Sequence, residues 1–171
     1  PQPMTPSPQT IIPDRYQTVP RTLSFVTHGD DVLLLRGAPD KRIWPNLYNG
    51  VGGHVMPEED VHTAAAREIR EEAGLLVEDL RLRGVINIPV EEPNTGIMVF
   101  VFTARSPDRA VQASEEGVPE WVPADRVLEL ELVEDLPVIL PKVLAMRAAD
   151  PPFFALYQYD ERGALRITFA E

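Results

Sequence analysis

The pattern of apolar and polar residues predicts a sheet in the first third of the chain. Residues 22–27 and 32–36 are rich in β-branched and aliphatic side chains, and a Gly-Asp-Asp turn separates them. Residues 48–55 predict another short strand, which is broken by the pair Gly52 and Gly53. Glycine inside a strand is typical of a close approach by another backbone segment. The chain is therefore predicted to start with a hairpin and an interrupted strand.

Residues 60–73 change to a helical pattern. Asp60 is suited to the N-cap, and Gly74 is suited to the position just past the last turn. Apolar residues recur four positions apart and form one stripe along this helix: Val61, Ala65, Ile69 and Ala73. We therefore expect one side of the helix to pack against the sheet.

The second half of the chain predicts more strands and one further helix. The predicted elements are strands over residues 80–90, 97–104 and 120–122, a helix over 135–148, and a closing hairpin of 153–159 and 164–169. Pro137 is tolerated in the first turn of that helix, whereas Pro141 is expected to kink it or delay its start. Together these elements predict a mixed sheet with two helices.

The first 20 residues differ in composition from the rest. They hold six prolines and little apolar periodicity, so we expect an extended or disordered arm. Residues 21–171 are then expected to form one domain, because a chain of 171 residues with 44% hydrophobic content can build one sizeable core.

The net charge of −11 argues against polymeric nucleic acid and anionic membrane surfaces as partners. A small phosphorylated substrate is still compatible with it, if divalent cations lie between the two sets of negative charge. The chain has no cysteine, which fits a reducing compartment, and we expect a cytoplasmic location. Its apolar runs are too short to span a bilayer, and the N-terminus does not resemble a secretory signal.

Three carboxylates cluster in the last turns of the first helix. Glu68, Glu71 and Glu72 fall on an arc of about 100° beside the apolar stripe. Like charges at this spacing cost about 0.2–0.5 kcal/mol per pair, and they lie at the negative end of the helix dipole. Arg67 can pair with Glu71, which leaves two acids uncompensated. A bound Mg²⁺ or Mn²⁺ explains the cluster, and the alternative is a solvated acidic face.

The flanking residues make the cation the stronger interpretation. Residues 53–75 fit the spacing G-x5-E-x7-R-E-U-x-E-E-x-G-U, where U is aliphatic. At average residue usage such a match arises by chance in well under roughly one chain per million. This pattern is the Nudix box, and the chain resembles Nudix hydrolases from about residue 21 to its C-terminus. The resemblance implies an α/β class fold, the Nudix α/β/α sandwich with a central mixed β-sheet.

The resemblance also implies an activity and roles for the box residues. Members cleave a nucleoside diphosphate linked to another moiety, with Mg²⁺ or Mn²⁺ and water as the nucleophile. By position, Glu68 and Glu72 are implied to be direct metal ligands, and Glu71 a ligand or a water-bridging group. Arg67 is implied to orient a box carboxylate, and Glu59 to support the loop and the helix start.

Two further metal ligands are expected outside the helix. The carbonyl of Gly52 is one, because a glycine pair lets the backbone approach an ion closely. Glu116 is the other, by resemblance to members with an acid on the loop before a late Trp-containing strand; the alternative is an ordinary loop acid. The general base is left open among Glu71, Glu72 and Glu116.

Residues 48–53 resemble the W-N-G-x-G-G segment of the MutT-like branch that hydrolyses oxidised purine nucleoside triphosphates. That resemblance makes Asn49 a candidate base-reading residue, although it could instead be a turn residue with positive φ. Glu134 and Asp135 stand where that branch places two acids against the purine edge; the alternative for Asp135 is a helix N-cap. The chain departs from the branch at Leu132, where an aromatic residue is expected.

Other candidate substrate contacts surround this segment. Tyr48 replaces the Trp of the pattern, and it or Trp44 could stack on the base. Arg36, with Lys41 and Arg42 (both near it in sequence), could meet phosphates or be solvated loop charges. His54 could contact a phosphate or a metal, or be an ordinary strand residue.

The leading function is therefore a nucleoside triphosphate pyrophosphohydrolase that acts on a small nucleotide, with damaged purines as candidate substrates. The nearest alternative is hydrolysis of ADP-ribose or a nucleotide sugar. A non-catalytic nucleotide sensor is the alternative from another class, although such domains typically lose box acids and this chain keeps them all. The oligomeric state stays open.

Overall fold

A computed structural model describes residues 11–171, and the part of the predicted arm over residues 1–10 lies outside that range. The strands are β1 (Gln17–His28), β2 (Asp31–Gly37), β3 (Tyr48–Asn49), β4 (Glu78–Pro89), β5 (Thr95–Arg105), β6 (Gly117–Pro123), β7 (Phe153–Tyr159) and β8 (Leu165–Phe169). The helices are α1 (Val61–Ala73) and α2 (Leu136–Leu144), and Ala124–Glu129 forms a short 3₁₀ helix.

The eight strands form one mixed sheet, as predicted. Its order is β3-β2-β1-β5-β4-β7-β8, and β6 pairs with β2. The β1–β5 and β4–β7 pairs are parallel, whereas the other strand pairs are antiparallel. No helix within residues 11–171 is both long enough and apolar enough to cross a membrane.

Several boundaries differ from the prediction: the strand expected over residues 48–55 is only Tyr48–Asn49, and the one expected over 120–122 is Gly117–Pro123. The first strand begins at Gln17, before the expected start near Arg21, because β1 pairs with β5 from Gln17 opposite Thr95 onward. The second helix ends at Leu144, and Pro141 lies inside it without delaying its start at Leu136. The earlier start of β1 depends on a strand partner that is distant in sequence, which the periodicity of β1 itself does not indicate.

One helix packs on each face of the sheet. The inward side of α2 contributes Leu136, Ile139, Leu140 and Val143 to a core that includes Phe25 and Leu34. On the opposite face, Ile69 and Ala73 of α1 pack with Val26, Leu33 and Val51. The expected layer order, helix–sheet–helix, is confirmed, and the acidic helix is fixed to the sheet by its apolar side.

The sheet splits between β1 and β2, and the segment after β3 enters the gap. β1 pairs with β2 only up to Val26 opposite Leu33. Beyond that point Ser24 pairs with Val51 instead, and the Thr22 N–H donates to the Gly53 carbonyl at 2.9 Å. A side chain at Gly52 would collide with the Thr22 carbonyl, so the close approach predicted for the glycine pair is present.

Candidate active site

The acidic helix begins and ends at the residues that the sequence predicts. The Asp60 carboxylate accepts the backbone N–H groups of His62 and Thr63 at 2.9 Å each. At the other end Gly74 has φ 74°, and its N–H donates to the Arg70 carbonyl at 3.0 Å. These caps determine the two ends of α1.

Glu72 lies on the buried side of α1, whereas the sequence predicted that it would be displayed with Glu68 and Glu71. It is only 7% exposed, and its Oε2 accepts the Gly52 N–H at 3.1 Å. Within residues 11–171 it takes part in no salt bridge. A buried carboxylate without a cationic partner is costly, so this position favours a bound cation.

Burial is also the main cause of a perturbed pKa at Glu72. Burial, together with the negative charges of Glu68 and Glu116, raises the pKa of this carboxyl to about 8. The hydrogen bond from Gly52 and the charge of Lys41 act in the opposite direction. Glu68 and Glu116 are therefore the two acids whose negative charge acts on Glu72.

Arg67 connects the box acids to one another. Its guanidinium donates to Glu59 at 2.6 and 3.0 Å, to Glu68 at 2.8 Å, to Glu71 at 3.0 Å and to the His54 carbonyl at 3.0 Å. The predicted pair with Glu71 is confirmed, and these bonds, led by that to Glu59, raise the pKa of Arg67. Its role in orienting a metal ligand stays a prediction.

Glu59 ties this network to the loop before α1. Its Oε1 also accepts the Met56 N–H at 2.9 Å, and the hydrogen bonds from Arg67 lower its pKa. On the same side, a Cβ at Gly53 would overlap the Glu68 carboxylate, so Glu68 lies directly against the glycine loop. The Glu68 carboxylate of the helix and the backbone of the glycine loop are therefore adjacent.

Glu116 lies immediately before β6, the strand that contains Trp121, as expected. Its carboxylate forms a salt bridge with Lys41 at 2.6 Å, and its carbonyl accepts the Ala38 N–H at 3.2 Å. Lys41 is thus paired with a candidate metal ligand. The sequence predicted no such pairing, because 75 positions separate the two residues and no local spacing links them.

The donor set fits Mg²⁺ or Mn²⁺. Glu68, Glu71, Glu72 and Glu116 supply carboxylate oxygens, and the Gly52 carbonyl adds a neutral one, which is the hard oxygen set that these ions prefer. In residues 11–171 no three acids or histidines yet converge on one point. Arg67 pairs with Glu68 and Glu71, and Lys41 pairs with Glu116, so three of the candidate ligands are already bonded to cationic side chains.

The expected phosphate and stacking residues contact a second acid, Glu120 of β6. Tyr48 donates its hydroxyl to Glu120 at 2.9 Å, and Arg36 pairs with the same carboxylate at 3.2 Å. No local pattern points to Glu120, which is one of many acids in an acidic chain. His54 is exposed, and its carbonyl, not its ring, contacts the box through Arg67.

Asn49 and the acidic pair before α2 lie on neighbouring segments. The Tyr48 N–H donates to the Glu131 carbonyl at 2.9 Å, and the Val133 N–H donates to the Tyr48 carbonyl at 3.0 Å. The Asn49 side-chain oxygen accepts the Gly50 N–H at 2.8 Å. Asn49 does not have positive φ, so the alternative of a left-handed turn residue is wrong.

Asp135 is the N-cap residue of α2, immediately before Leu136, as the alternative expected, but its side chain caps no helix N–H. Its carboxylate accepts the Tyr157 hydroxyl at 2.7 Å, and Glu134 accepts the Tyr159 hydroxyl at 3.2 Å. Burial raises the pKa of Asp135, while the bond from Tyr157 lowers it. The sequence predicts neither of these tyrosine contacts, because each joins residues more than 20 positions apart.

Comparison with known proteins agrees with this geometry. The NUDIX domain model matches residues 18–143. The oxidized purine nucleoside triphosphate hydrolase of Mus musculus is 30% identical over 125 residues, which is 71% of this chain and 79% of that protein. The NAD-capped RNA hydrolase of Pseudomonas aeruginosa is 30% identical over 123 residues, or 67% of this chain, and the match spans only 42% of that protein.

Among solved structures, the MutT protein of Bacillus halodurans superposes with a TM-score of 0.74 at 25% identity, covering 88% of this chain and 97% of the other. The family model covers well over half of the chain. This chain therefore belongs to the Nudix family and is a Nudix hydrolase.

Proposed function

We propose that the protein hydrolyses a nucleoside triphosphate to the monophosphate and pyrophosphate, with an oxidised purine as the preferred base. The observation that supports this most directly is the buried, unpaired Glu72 carboxylate against Gly52. A bound cation would stabilise such a buried carboxylate. An acidic protein also needs a cation between its own acids and the phosphates in order to bind a polyphosphate.

The chain's own residues would hold Mg²⁺ or Mn²⁺ through Glu68, Glu72 and the Gly52 carbonyl, with Glu71 and Glu116 beside them. When bound, the ion would supply a Lewis acid for the phosphoryl oxygens and make a water nucleophilic at neutral pH. Arg67 keeps the box carboxylates in position through its bonds to Glu68 and Glu71.

A carboxylate near the ion would accept the proton of the attacking water. Glu71 is the most exposed of the helix acids, Glu72 has a raised pKa, and Glu116 is bonded to Lys41, which a substrate phosphate could take over. All three stay candidates for this role. Lys41, once released from Glu116, would be free to bind a substrate phosphate.

The proposed base subsite lies on the segments next to the metal loop. Asn49, Glu134 and Asp135 supply amide and carboxylate groups there, which can bond the edge of a purine. The relative from Mus musculus has oxidised purine nucleoside triphosphates in its name, and it shares 30% identity with this chain. Both observations support oxidised purines, and the site's acceptors suit bases with an additional N–H group.

A second candidate is hydrolysis of another nucleoside diphosphate-linked compound. The similarity to an NAD-capped RNA hydrolase supports it, whereas the net charge of −11 does not favour contact with the body of an RNA. ADP-ribose and nucleotide sugars belong to the same class of substrate. For location we keep the expectation of the cytoplasm, which rests on the absence of cysteine.

The test is a pyrophosphate-release assay with Mg²⁺ or Mn²⁺ over ordinary and oxidised (d)NTPs, followed by product analysis with ADP-ribose, NAD and sugar nucleotides. We expect metal-dependent release of pyrophosphate, fastest with an oxidised purine, and its loss in Glu72→Gln. Full activity of that variant would overturn the metal assignment. Tight nucleotide binding without turnover of any phosphoanhydride would favour the sensor alternative.

A further inference from the structure

Two tyrosines of β7 bond the acidic pair that precedes α2. Tyr157 and Tyr159 are two positions apart on one strand, so their side chains lie on the same face of the sheet. They donate to Asp135 at 2.7 Å and to Glu134 at 3.2 Å, respectively. The start of α2 is thereby joined to β7 by two separate Tyr–carboxylate pairs.

The two pairs differ in exposure. Tyr157 is 4% exposed, whereas its partner Asp135 is only half-buried. Tyr159 is 57% exposed, and Glu134 is exposed as well. A ligand can therefore reach Asp135 but not the Tyr157 hydroxyl, so any effect of Tyr157 on a ligand must act through Asp135.

We propose that Tyr157 is a positioning residue for base recognition: it holds one carboxylate oxygen of Asp135 and leaves the other to bond the edge of a purine. This inference rests on the proposed function, because it takes Asp135 to lie in the base subsite. The shorter bond and the deeper burial both assign this role to Tyr157 and not to Tyr159.

The hydrogen bond from Tyr157 affects the protonation state of Asp135, and that state decides whether Asp135 binds a donor or an acceptor group on the base. An ionised Asp135 accepts from Tyr157 through Oδ2 and can accept a base N–H through Oδ1. A neutral Asp135 can donate through Oδ1 to a base carbonyl or ring nitrogen. Tyr157 stabilises the ionised form, so it favours recognition of a donor group on the base.

The charged and titratable groups that act on Asp135 are few. Burial and the charge of Glu134 raise its pKa, and the hydrogen bond from Tyr157 lowers it. Tyr159, on the same face of β7, is close enough to Asp135 for the carboxylate to raise the pKa of that tyrosine. Tyr157→Phe removes the lowering contribution alone, so the pKa of Asp135 should rise.

The experiment compares the wild type with Tyr157→Phe, Tyr159→Phe and Asp135→Asn. Carbon-13 NMR of the Asp135 carboxyl over pH gives its pKa without ligand or turnover. Calorimetric binding of 8-oxo-dGMP and dGMP over the same pH range gives the midpoint of recognition. Thermal melting of each variant shows that it is folded.

We expect Tyr157→Phe to move both the carboxyl titration and the binding midpoint to higher pH. Between the two midpoints its affinity should differ from the wild type about 2- to 10-fold, which is the range of one hydrogen bond. Tyr159→Phe should leave both midpoints unchanged. In the Asp135→Asn background, Tyr157→Phe should cause no pH-dependent change, because the titrating group is absent.

The outcomes separate the two proposals. A shifted carboxyl titration with unshifted binding would make the pair merely structural and overturn the inference, as would equal effects of Tyr157→Phe and Tyr159→Phe. An unchanged titration would also overturn it. If the shifts occur but no nucleotide is hydrolysed, the proposed hydrolase reaction fails while the positioning role stands.

Discussion

Arg67 and Glu59 form a two-point ion pair across the start of α1. Nη2 of Arg67 donates to one carboxylate oxygen at 2.6 Å, and Nε donates to the other at 3.0 Å. This geometry requires the planar guanidinium, and it leaves Nη1 directed at Glu68 and Glu71. Glu59 therefore determines how Arg67 presents its remaining donors to the acids of the helix.

We predict that Arg67→Lys lowers metal affinity or kcat/KM by about 10- to 100-fold, because an ammonium cannot bond Glu59 at two points and still hold Glu68. Mg²⁺ titration of the activity measures the effect. Arg126→Lys is the matched control, since Arg126 forms an exposed pair with Glu129 three residues away. An equal effect in both variants would show that the loss is not specific to the site.

Glu72→Gln should lower kcat by about 10²- to 10⁴-fold and abolish the rise in Tm on addition of Mg²⁺. Without metal the variant should be at least as stable as the wild type at pH 8. Glutamine can still accept the Gly52 N–H, and it removes an uncompensated buried charge. Glu115→Gln, a change at an exposed loop acid, is the control, and a large loss of stability in Glu72→Gln alone would contradict the argument.

The pH dependence of stability should follow Glu72. Its folded-state pKa of about 8 lies above the ordinary value of 4.5, so the folded state binds the proton more tightly than the unfolded state. Metal-free protein should therefore lose stability as pH rises from 4.5 to 8, and Mg²⁺ should reverse the loss. Melting curves with EDTA or Mg²⁺ measure it, and Glu72→Gln should lack this contribution.

Gly52 and Gly53 should differ sharply when each is changed to Ala. A methyl group at Gly53 meets the end of the Glu68 side chain, which can move, so Tm should change little while Mg²⁺ affinity falls. At Gly52 it meets the Thr22 backbone, and the variant should lose about 1–3 kcal/mol of unfolding free energy. Chemical denaturation and metal titration of both variants separate the two effects; the reverse order would contradict the loop geometry.

The local elements and the box could be predicted from the sequence because their signals are local. Asp60 and Gly74 determine both ends of α1, and both are adjacent to the helix that they cap. The residues of the box are close in sequence, so the grouping of Arg67 with Glu71 follows from helical spacing alone.

Other features depend on long-range contacts and could not be predicted in this way. Glu72 is buried because the Gly52 loop packs over it, which the helical arc alone does not indicate. Tyr157 meets Asp135 because β7 passes beside the start of α2, and Lys41 meets Glu116 because their loops adjoin. In each case the partner is determined by the topology of the sheet.

The gap between β1 and β2 has a consequence for substrate size. The segment at this gap is hydrogen-bonded at two points. Tyr48 bonds the residues that precede α2, and Gly52 bonds Glu72. Gly52 is four positions after Tyr48, and extended backbone covers at most about 14 Å over four positions. Because both ends are bonded, the length of this short stretch sets the distance between the proposed base subsite and the proposed metal site. Changing its length by one residue would alter which bond of a nucleotide reaches the carboxylates.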